Sequence, residues 1–347
     1  MEDNRSSSSA LGLRRKIIID TDVGIDDAQA IFLALADPSA EILAITCVGG
    51  NTLLENVCSN VLKVLTVAQR LDIPVYAGCK APIIGNIKFG EPYHGEDGLG
   101  DCPPDILDVG PVDISMLQLE HATTVISQFT KKYPGEVSVI CLAPLTNLAI
   151  AIKIDPDFTR LLKSVYIMGG NHAGEGNDTA AAEFNFYHDP EAASIVLSNC
   201  SCEVIMLGWE TCSLMENRFK YSWMKESLYS RDTPQGRFIR NINNRILSSM
   251  DASLPGYDQE SGFILCDEWV MALFLNPEIC AKFCVWSTEV ELAGRLTRGQ
   301  CVVDKRFYGR SSDGKNQVRH VLALDKERMK EMLVKMVMVQ NFPKGNS

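Results

Sequence analysis

Two rhythms of apolar and polar positions alternate along this 347-residue chain. Residues 16–20 (KIIID) form a short β-branched run of the buried-strand type, and DDAQAIFLALADP reads as the helix after it, stopped at Asp37-Pro38. A second apolar run at 41–48 closes on Gly49-Gly50-Asn51, residues 52–70 predict a helix, and 73–77 a short strand. The pattern resumes with a helix near 118–133, a strand at 137–142, a helix near 146–153 and strands at 164–168 and 202–208. Residues 214–252 read as mostly helical and polar, 285–308 as paired strands, and 325–338 as a closing helix. Strand–helix–strand repetition predicts parallel βαβ units. The expected class is therefore α/β: a Rossmann-like open, mostly parallel sheet flanked by helices, in one domain over 15–340. Residues 1–14 are polar and serine-rich and read as a disordered lead-in.

Two stretches break the rhythm. Residues 78–114 are rich in glycine and proline, and 169–185 in glycine and asparagine. Loops this long in a compact domain are commonly lids or binding loops. Composition narrows the partners. With a net charge of −11 the chain repels phosphate polymers and anionic membranes, which favours a neutral small substrate. The twelve cysteines include no Cys-x-x-Cys pair, so they read as reduced thiols of a cytoplasmic protein and not as a disulfide framework or zinc site. No uncharged apolar run approaches the ~20 residues that span a bilayer.

The most informative stretch is Asp20-Thr21-Asp22-Val23-Gly24-Ile25-Asp26-Asp27, four carboxylates between the end of a buried strand and the start of a helix. Ligands of open α/β sheets sit outside the carboxyl ends of strands. A helix dipole stabilises a nearby acid by only ~0.3–1 kcal/mol, too little to offset several crowded carboxylates. A divalent cation with oxygen ligands, Ca²⁺ or Mg²⁺, resolves the repulsion, with Gly24 letting the backbone fold around it. Two other readings stand beside this one. Asp26 can be an N-cap among solvated loop acids. The string IIIDTDV also fits the haloacid-dehalogenase phosphatase pattern, with Asp20 as nucleophile and Asp22 as acid/base, although Asp26-Asp27 lies outside that pattern.

The continuation DTDVGIDDAQAIFLAL resembles the signature of the inosine–uridine nucleoside hydrolase family. Further matches follow in family order: Gly49-Gly50-Asn51, the HGEDGLG loop from His94, PLTNLA at 144–149, Met168-Gly169-Gly170, Asn177, AEFN at 182–185, DPEAA at 189–193 and Asp267. The resemblance covers about residues 15–340. It implies hydrolysis of the N-glycosidic bond of ribonucleosides, Ca²⁺ as cofactor and a homodimer or homotetramer. Asp22 is then a Ca²⁺ ligand and the general base for the attacking water, with Asp27, the backbone carbonyl of Thr146 and Asp267 as the other protein ligands. Asp26, Asn185, Asp267 and Asn51 would hold the ribose 2′- and 3′-hydroxyls, and Asn177 and Glu183 the 5′-hydroxyl. Met168 would line the sugar pocket, and Asp20 would support the loop from behind. Taken alone, Glu183 and Asn185 also read as a cap before the helix opened by Asp189-Pro190, Thr146 as an ordinary N-cap, and His172 and His188 as solvated loop histidines.

One position departs from the family. Many members carry His-Asp where this chain has Cys266-Asp267, and that histidine is credited with protonating the departing purine. A thiol with a pKa near ~8.5 is a weaker proton donor. Cysteine here resembles a family subgroup, and leaving-group activation is left to Cys266, to His94 of the first long loop, to a residue of 214–252, or to stacking on Tyr221, Trp223, Tyr229 or Tyr257. A non-catalytic ribonucleoside-binding homologue is the remaining alternative.

Overall fold

A computed structural model describes residues 14–86, 93–251, 262–306 and 316–344. Residues 1–13 of the lead-in and Tyr257 fall outside that set. The β-branched run becomes β1 (Arg15–Thr21), whose side chains alternate between two cores: Ile17 and Ile19 pack on one face of the sheet, Ile18 on the other. Burial on both faces is what a continuous apolar strand in a parallel sheet requires. The other strands are β2 (Ala40–Cys47), β3 (Val75–Ala77), β4 (Val137–Cys141), β5 (Ser164–Met168), β6 (Glu203–Leu207), β7 (Cys280–Val290), β8 (Cys301–Asp304) and β9 (Gln317–Leu324).

They form one sheet in the order β3-β2-β1-β4-β5-β6-β9-β7-β8. The first seven in that order are parallel, and β7 pairs antiparallel with both β9 and β8. The expected open, mostly parallel sheet is what forms. From β1 the chain builds outward to β2 and β3, then returns to lay β4, β5 and β6 on the other side. The strand order therefore reverses between β1 and β4, and their carboxyl ends splay to leave a crevice there.

Two elements escape the hydrophobic pattern. The helix Asp267–Leu275 is buried at every position, so it has no polar face to give a helical period. Strand β9 carries Arg319 and His320 inside its apolar run, which hides its strand character. Within 214–252 the helices are less polar than they read, because Met224, Leu228, Phe238, Ile239 and Ile242 are buried. All twelve cysteines are free thiols. Among the described residues no helix is long and apolar enough to cross a membrane.

Candidate active site

At the end of β1 the chain turns through Asp22, Val23 and Gly24 into the helix Ile25–Ala36, with Gly24 as N-cap. Asp27 closes this turn. Its Oδ1 accepts from Thr21 Oγ1 at 2.5 Å and its Oδ2 from Gly24 N at 2.8 Å and Asn51 Nδ2 at 3.3 Å. Asp22 Oδ2 accepts from the backbone N–H of Asn51 at 2.7 Å, which ties the β1 turn to the Gly49-Gly50-Asn51 turn after β2. Gly50 is required by contact: a Cβ there would collide with Asp22 Oδ2. Asp20 lies deeper. Its Oδ1 accepts from Thr46 Oγ1 at 2.6 Å and Asn147 Nδ2 at 2.8 Å, pinning β1 between β2 and the helix Thr146–Ile154.

Asp267 reaches the same place from the far end of the chain. The helices Ile25–Ala36 and Asp267–Leu275 share one core and begin at the same end of the sheet, so both N-termini face one spot. One carboxylate oxygen from each of Asp26, Asp27 and Asp267 lies within 4.8 Å of the other two. Two helix N-termini help such charge but do not neutralise it. Burial is the main cause that lifts all of these carboxyl groups. It brings Asp26 and Asp27 to about 6 and, with the neighbouring acids, takes Asp22 and Asp267 well above the usual range. Asp22 Oδ1 is buried with no hydrogen-bond partner. An orphaned carboxylate oxygen beside an all-oxygen cluster of three further acids suits a hard divalent cation.

Above this cluster opens a cavity of about 1460 Å³. Its lining joins Asp26, Asn51, His94, Cys266 and Asp267 with Met168, Asn177, Glu183 and Asn185. Glu183 caps the short helix Phe184–His188: its Oε1 accepts from Asn185 N, and its Oε2 from Phe186 N and from Gly170 N at 2.8 Å. Burial still lifts it to about 7. The capping expectation and the cavity expectation therefore meet in one residue. Asn185 Nδ2 donates to the carbonyls of Leu142 and Met168 at 3.0 and 3.2 Å, which leaves its Oδ1 for the cavity. Asn177 Oδ1 accepts from Phe184 N at 2.9 Å, leaving its NH₂. His94 Nδ1 accepts from Ile25 N at 3.0 Å, so the neutral ring carries its proton on Nε2, and burial lowers the pKa to about 4.

Thr146 does not join the cavity wall. It is the first residue of its helix, its hydroxyl donates to Asp189 Oδ2 at 2.7 Å, and its carbonyl runs along the helix axis. The residue of this segment that lines the cavity is Leu142, directly after β4, whose carbonyl accepts from Asn185 Nδ2. The aromatic expectation also shifts. Tyr221 stacks on Phe263, Trp223 packs against Phe219, and Tyr229 is buried, while the cavity's aromatic side chains are Tyr93, Phe184, Trp209 and Phe263. No sequence period marks Trp209, because it sits in a five-residue helix. His188 is buried against Phe184, and His172 stacks near Trp286 beside Glu210, so neither is a solvated loop residue.

The geometry has counterparts in known proteins. The model of the family described as inosine-uridine preferring nucleoside hydrolase matches residues 17–331. A Leishmania major protein named inosine-uridine preferring nucleoside hydrolase is 34% identical over 317 residues, 90% of this chain and 94% of that protein. An Arabidopsis thaliana protein named probable uridine nucleosidase 2 is 39% identical over 201 residues, 57% of this chain and 60% of its own length. A solved inosine-guanosine nucleoside hydrolase superposes with a TM-score of 0.80 at 28% identity, covering 93% of this chain and 99% of that one.

Proposed function

Since this chain belongs to the inosine–uridine preferring nucleoside hydrolase family, we propose that it splits the N-glycosidic bond of ribonucleosides with water, releasing ribose and the free base. The observation that carries the reading is the convergence of Asp26, Asp27 and Asp267, from opposite ends of the chain, at a cavity that Asp26 and Asp267 line together with Asn177, Glu183 and Asn185.

Calcium is the proposed cation, held by Asp22, Asp27 and Asp267 and by the backbone carbonyl of Leu142 in place of that of Thr146. When bound it supplies the charge that neutralises these acids and polarises a water. Asp22, with its unpartnered Oδ1, takes the proton from the attacking water. Cleavage of a C1′–N bond builds positive charge on the sugar, and the surrounding carboxylates stabilise it. Asp26, Asn51, Asp267 and the Oδ1 of Asn185 accept from the 2′- and 3′-hydroxyls. Asn177 and Glu183 meet the 5′-hydroxyl, and Met168 forms the floor. On the base side Cys266 is a neutral thiol, its pKa raised by its contact with Cys212 and by burial. His94, neutral with its proton on Nε2, is a directional donor to the departing base.

The phosphatase alternative fails on geometry. Asp20, its nucleophile, is fully buried with one oxygen committed to Thr46 and Asn147. The non-catalytic alternative is decided by assay. Purified protein with calcium and a panel of nucleosides should release ribose, and Asp22→Ala should abolish release. Ribose release that survives Asp22→Ala would sink the mechanism, and ligand binding without release would establish a binder.

A further inference from the structure

Glu210 lies outside the cavity wall, yet it organises the segment that supplies part of it. It is the second residue of the helix Trp209–Ser213, which follows directly from β6. Its carboxylate is buried and takes backbone N–H groups from one stretch of chain. Oε1 accepts from His172 N at 3.1 Å, Ala173 N at 2.7 Å and Glu175 N at 3.2 Å, and Oε2 accepts from His172 N at 2.9 Å. Gly174, with φ +83°, turns the backbone so that the amides on either side of it face the same oxygen. Successive amides curled around an anion in this way form a nest. Burial alone would raise the acid, but the His172 side chain, with Nδ1 3.3 Å from Oε2, and then the backbone N–H groups of His172 and Ala173 outweigh it and hold Glu210 at about 2.

The rest of the segment is fastened at two more points. Asn171 Nδ2 donates to Glu175 O at 2.9 Å and Ala181 O at 2.8 Å, and Glu183 accepts from Gly170 N. Between these ties the chain presents Asn177 and Asp178 to the cavity, with Glu183 just after. The neighbour of Glu210, Trp209, lines the same cavity and donates its backbone N–H to Gly170 O at 2.9 Å.

We propose that Glu210 is a positioning residue for the sugar end of the substrate: by gathering the amides of residues 172, 173 and 175 it fixes where Asn177 and Glu183 stand, and so sets the preference for nucleosides that carry a 5′-hydroxyl. The inference rests on the nucleoside reading above. It goes further in assigning substrate selection to a carboxylate that never touches substrate. Without the clamp the loop is looser and the hydrogen bonds to the 5′-hydroxyl weaken, while the carboxylate cluster across the cavity is undisturbed.

The test uses the full-length protein, its Glu210→Gln and Glu210→Ala variants, and two substrate pairs: uridine with 5′-deoxyuridine and inosine with 5′-deoxyinosine. For the hydroxylated member of each pair, kcat/KM should fall about tenfold in Glu210→Ala and less in Glu210→Gln, as expected for loss of one well-placed hydrogen bond. The 5′-deoxy member should keep its rate within about twofold, so that the ratio between the two collapses. Hydrogen exchange on the ligand-free proteins, whose folding is checked by thermal melting, should show faster exchange at residues 172, 173 and 175. Equal losses on both members of a pair would reduce Glu210 to a general stabiliser and overturn the proposal, as would unchanged exchange at those amides. Absence of ribose release by the parent protein would overturn the nucleoside reading and the selection it supports, while the exchange result still decides the clamp separately.

Discussion

At the end of β1, Asp22 and Asp27 are surrounded by other acids; at the end of β6, Glu210 is surrounded by backbone amides. All three are buried. Their acidities nevertheless move in opposite directions, with Asp22 and Asp27 raised and Glu210 lowered to about 2. What differs is the supply of donors. Glu210 receives its hydrogen bonds from a chain that folds around it, so it is complete without any partner. Asp22 receives one, at Oδ2, and keeps the other oxygen bare. A protein retains unsatisfied buried charge where something from outside is to satisfy it. The β1 end is thus left open to something from outside, whereas the β6 end is closed on itself and shapes the loop that carries Asn177 and Glu183.

The largest effect expected from breaking the contrast is at Asp22. Asp22→Asn keeps the shape and the acceptor for Asn51 N–H but removes the charge and the base. Ribose release should fall by about 10³-fold, within the range for loss of a general base at an ion-binding site. The calcium-free protein should melt higher, because a repelling buried charge is gone. A variant that loses activity and also melts lower without calcium would contradict the view that Asp22 is held against its own repulsion.

The next effect is in the pH dependence of stability. Asp20, at about 6 in the folded chain against 3.8 when free, binds its proton more tightly folded than unfolded. Its contribution is therefore fully present below 3.8 and is lost as pH rises through about 6. A shift of that size corresponds to about 3 kcal/mol. Asp26 and Asp27 act in the same direction. Glu210 works the other way: its contribution is present above 4.5 and lost as pH falls through about 2. Protein stripped with a chelator should accordingly gain stability from pH 7.5 to 5.5, and calcium should remove the share of that gain due to Asp26 and Asp27 while leaving the share due to Asp20, which burial raises and which is not a proposed ligand. Thermal melting at both pH values, with chelator and with calcium, checks it; identical profiles would remove the cation from the cluster.

The two regions were also unequally legible in the sequence. The Asp20–Asp27 cluster is local: its four acids fall within eight residues, and the apolar strand that ends there fixes which end of the sheet they occupy. Asp267 needed the family resemblance, because nothing in the chain says that two helices 240 residues apart start side by side. Thr146 lies outside the cavity wall. The Pro-Leu-Thr-Asn motif marks the segment, but the helix begins at Thr146 and the residue of this segment that lines the cavity precedes it at Leu142. Glu210 was invisible, since a carboxylate satisfied by amides of another loop leaves no pattern among its own neighbours. The wholly buried helix at 267–275 was missed because an element without a polar face has no period to read, and strand β9 because the buried position in its alternation is taken by the polar His320.

A glycine gives a smaller and more local test. The Cβ of a Gly50→Ala variant would enter the space of Asp22 Oδ2, and Gly50 has no positive φ to add backbone strain. Activity should drop about thirtyfold by displacing the base, since misplacement on the order of 1 Å costs up to 10²-fold. Global stability should fall by about 1–3 kcal/mol, the usual cost of an added methyl group in a packed site. Unchanged ribose release would mean that the position of Asp22 is not what limits the reaction.

The smallest effect belongs to the residue that joins the two regions. Cys266 caps the helix that begins with Asp267, lines the cavity, and has its thiol against Cys212 of the helix that carries Glu210. A purine leaves more readily once a ring nitrogen is protonated, and a thiol held above its usual pKa gives up a proton poorly. In a Cys266→His variant the ring would lie beside Asp26 and Asp267, two negative neighbours that favour the imidazolium form. That supplies an acid near the departing base without touching the sugar side. Release of ribose from inosine should rise about tenfold and release from uridine should stay within about twofold, below the full 10²–10⁴ of a well-placed acid because the larger ring must find room against Cys212. A gain on both substrates would point to a wider cavity and not to proton transfer. No gain on either would assign leaving-group activation to a donor already in place, with the Nε2–H of His94 first in line.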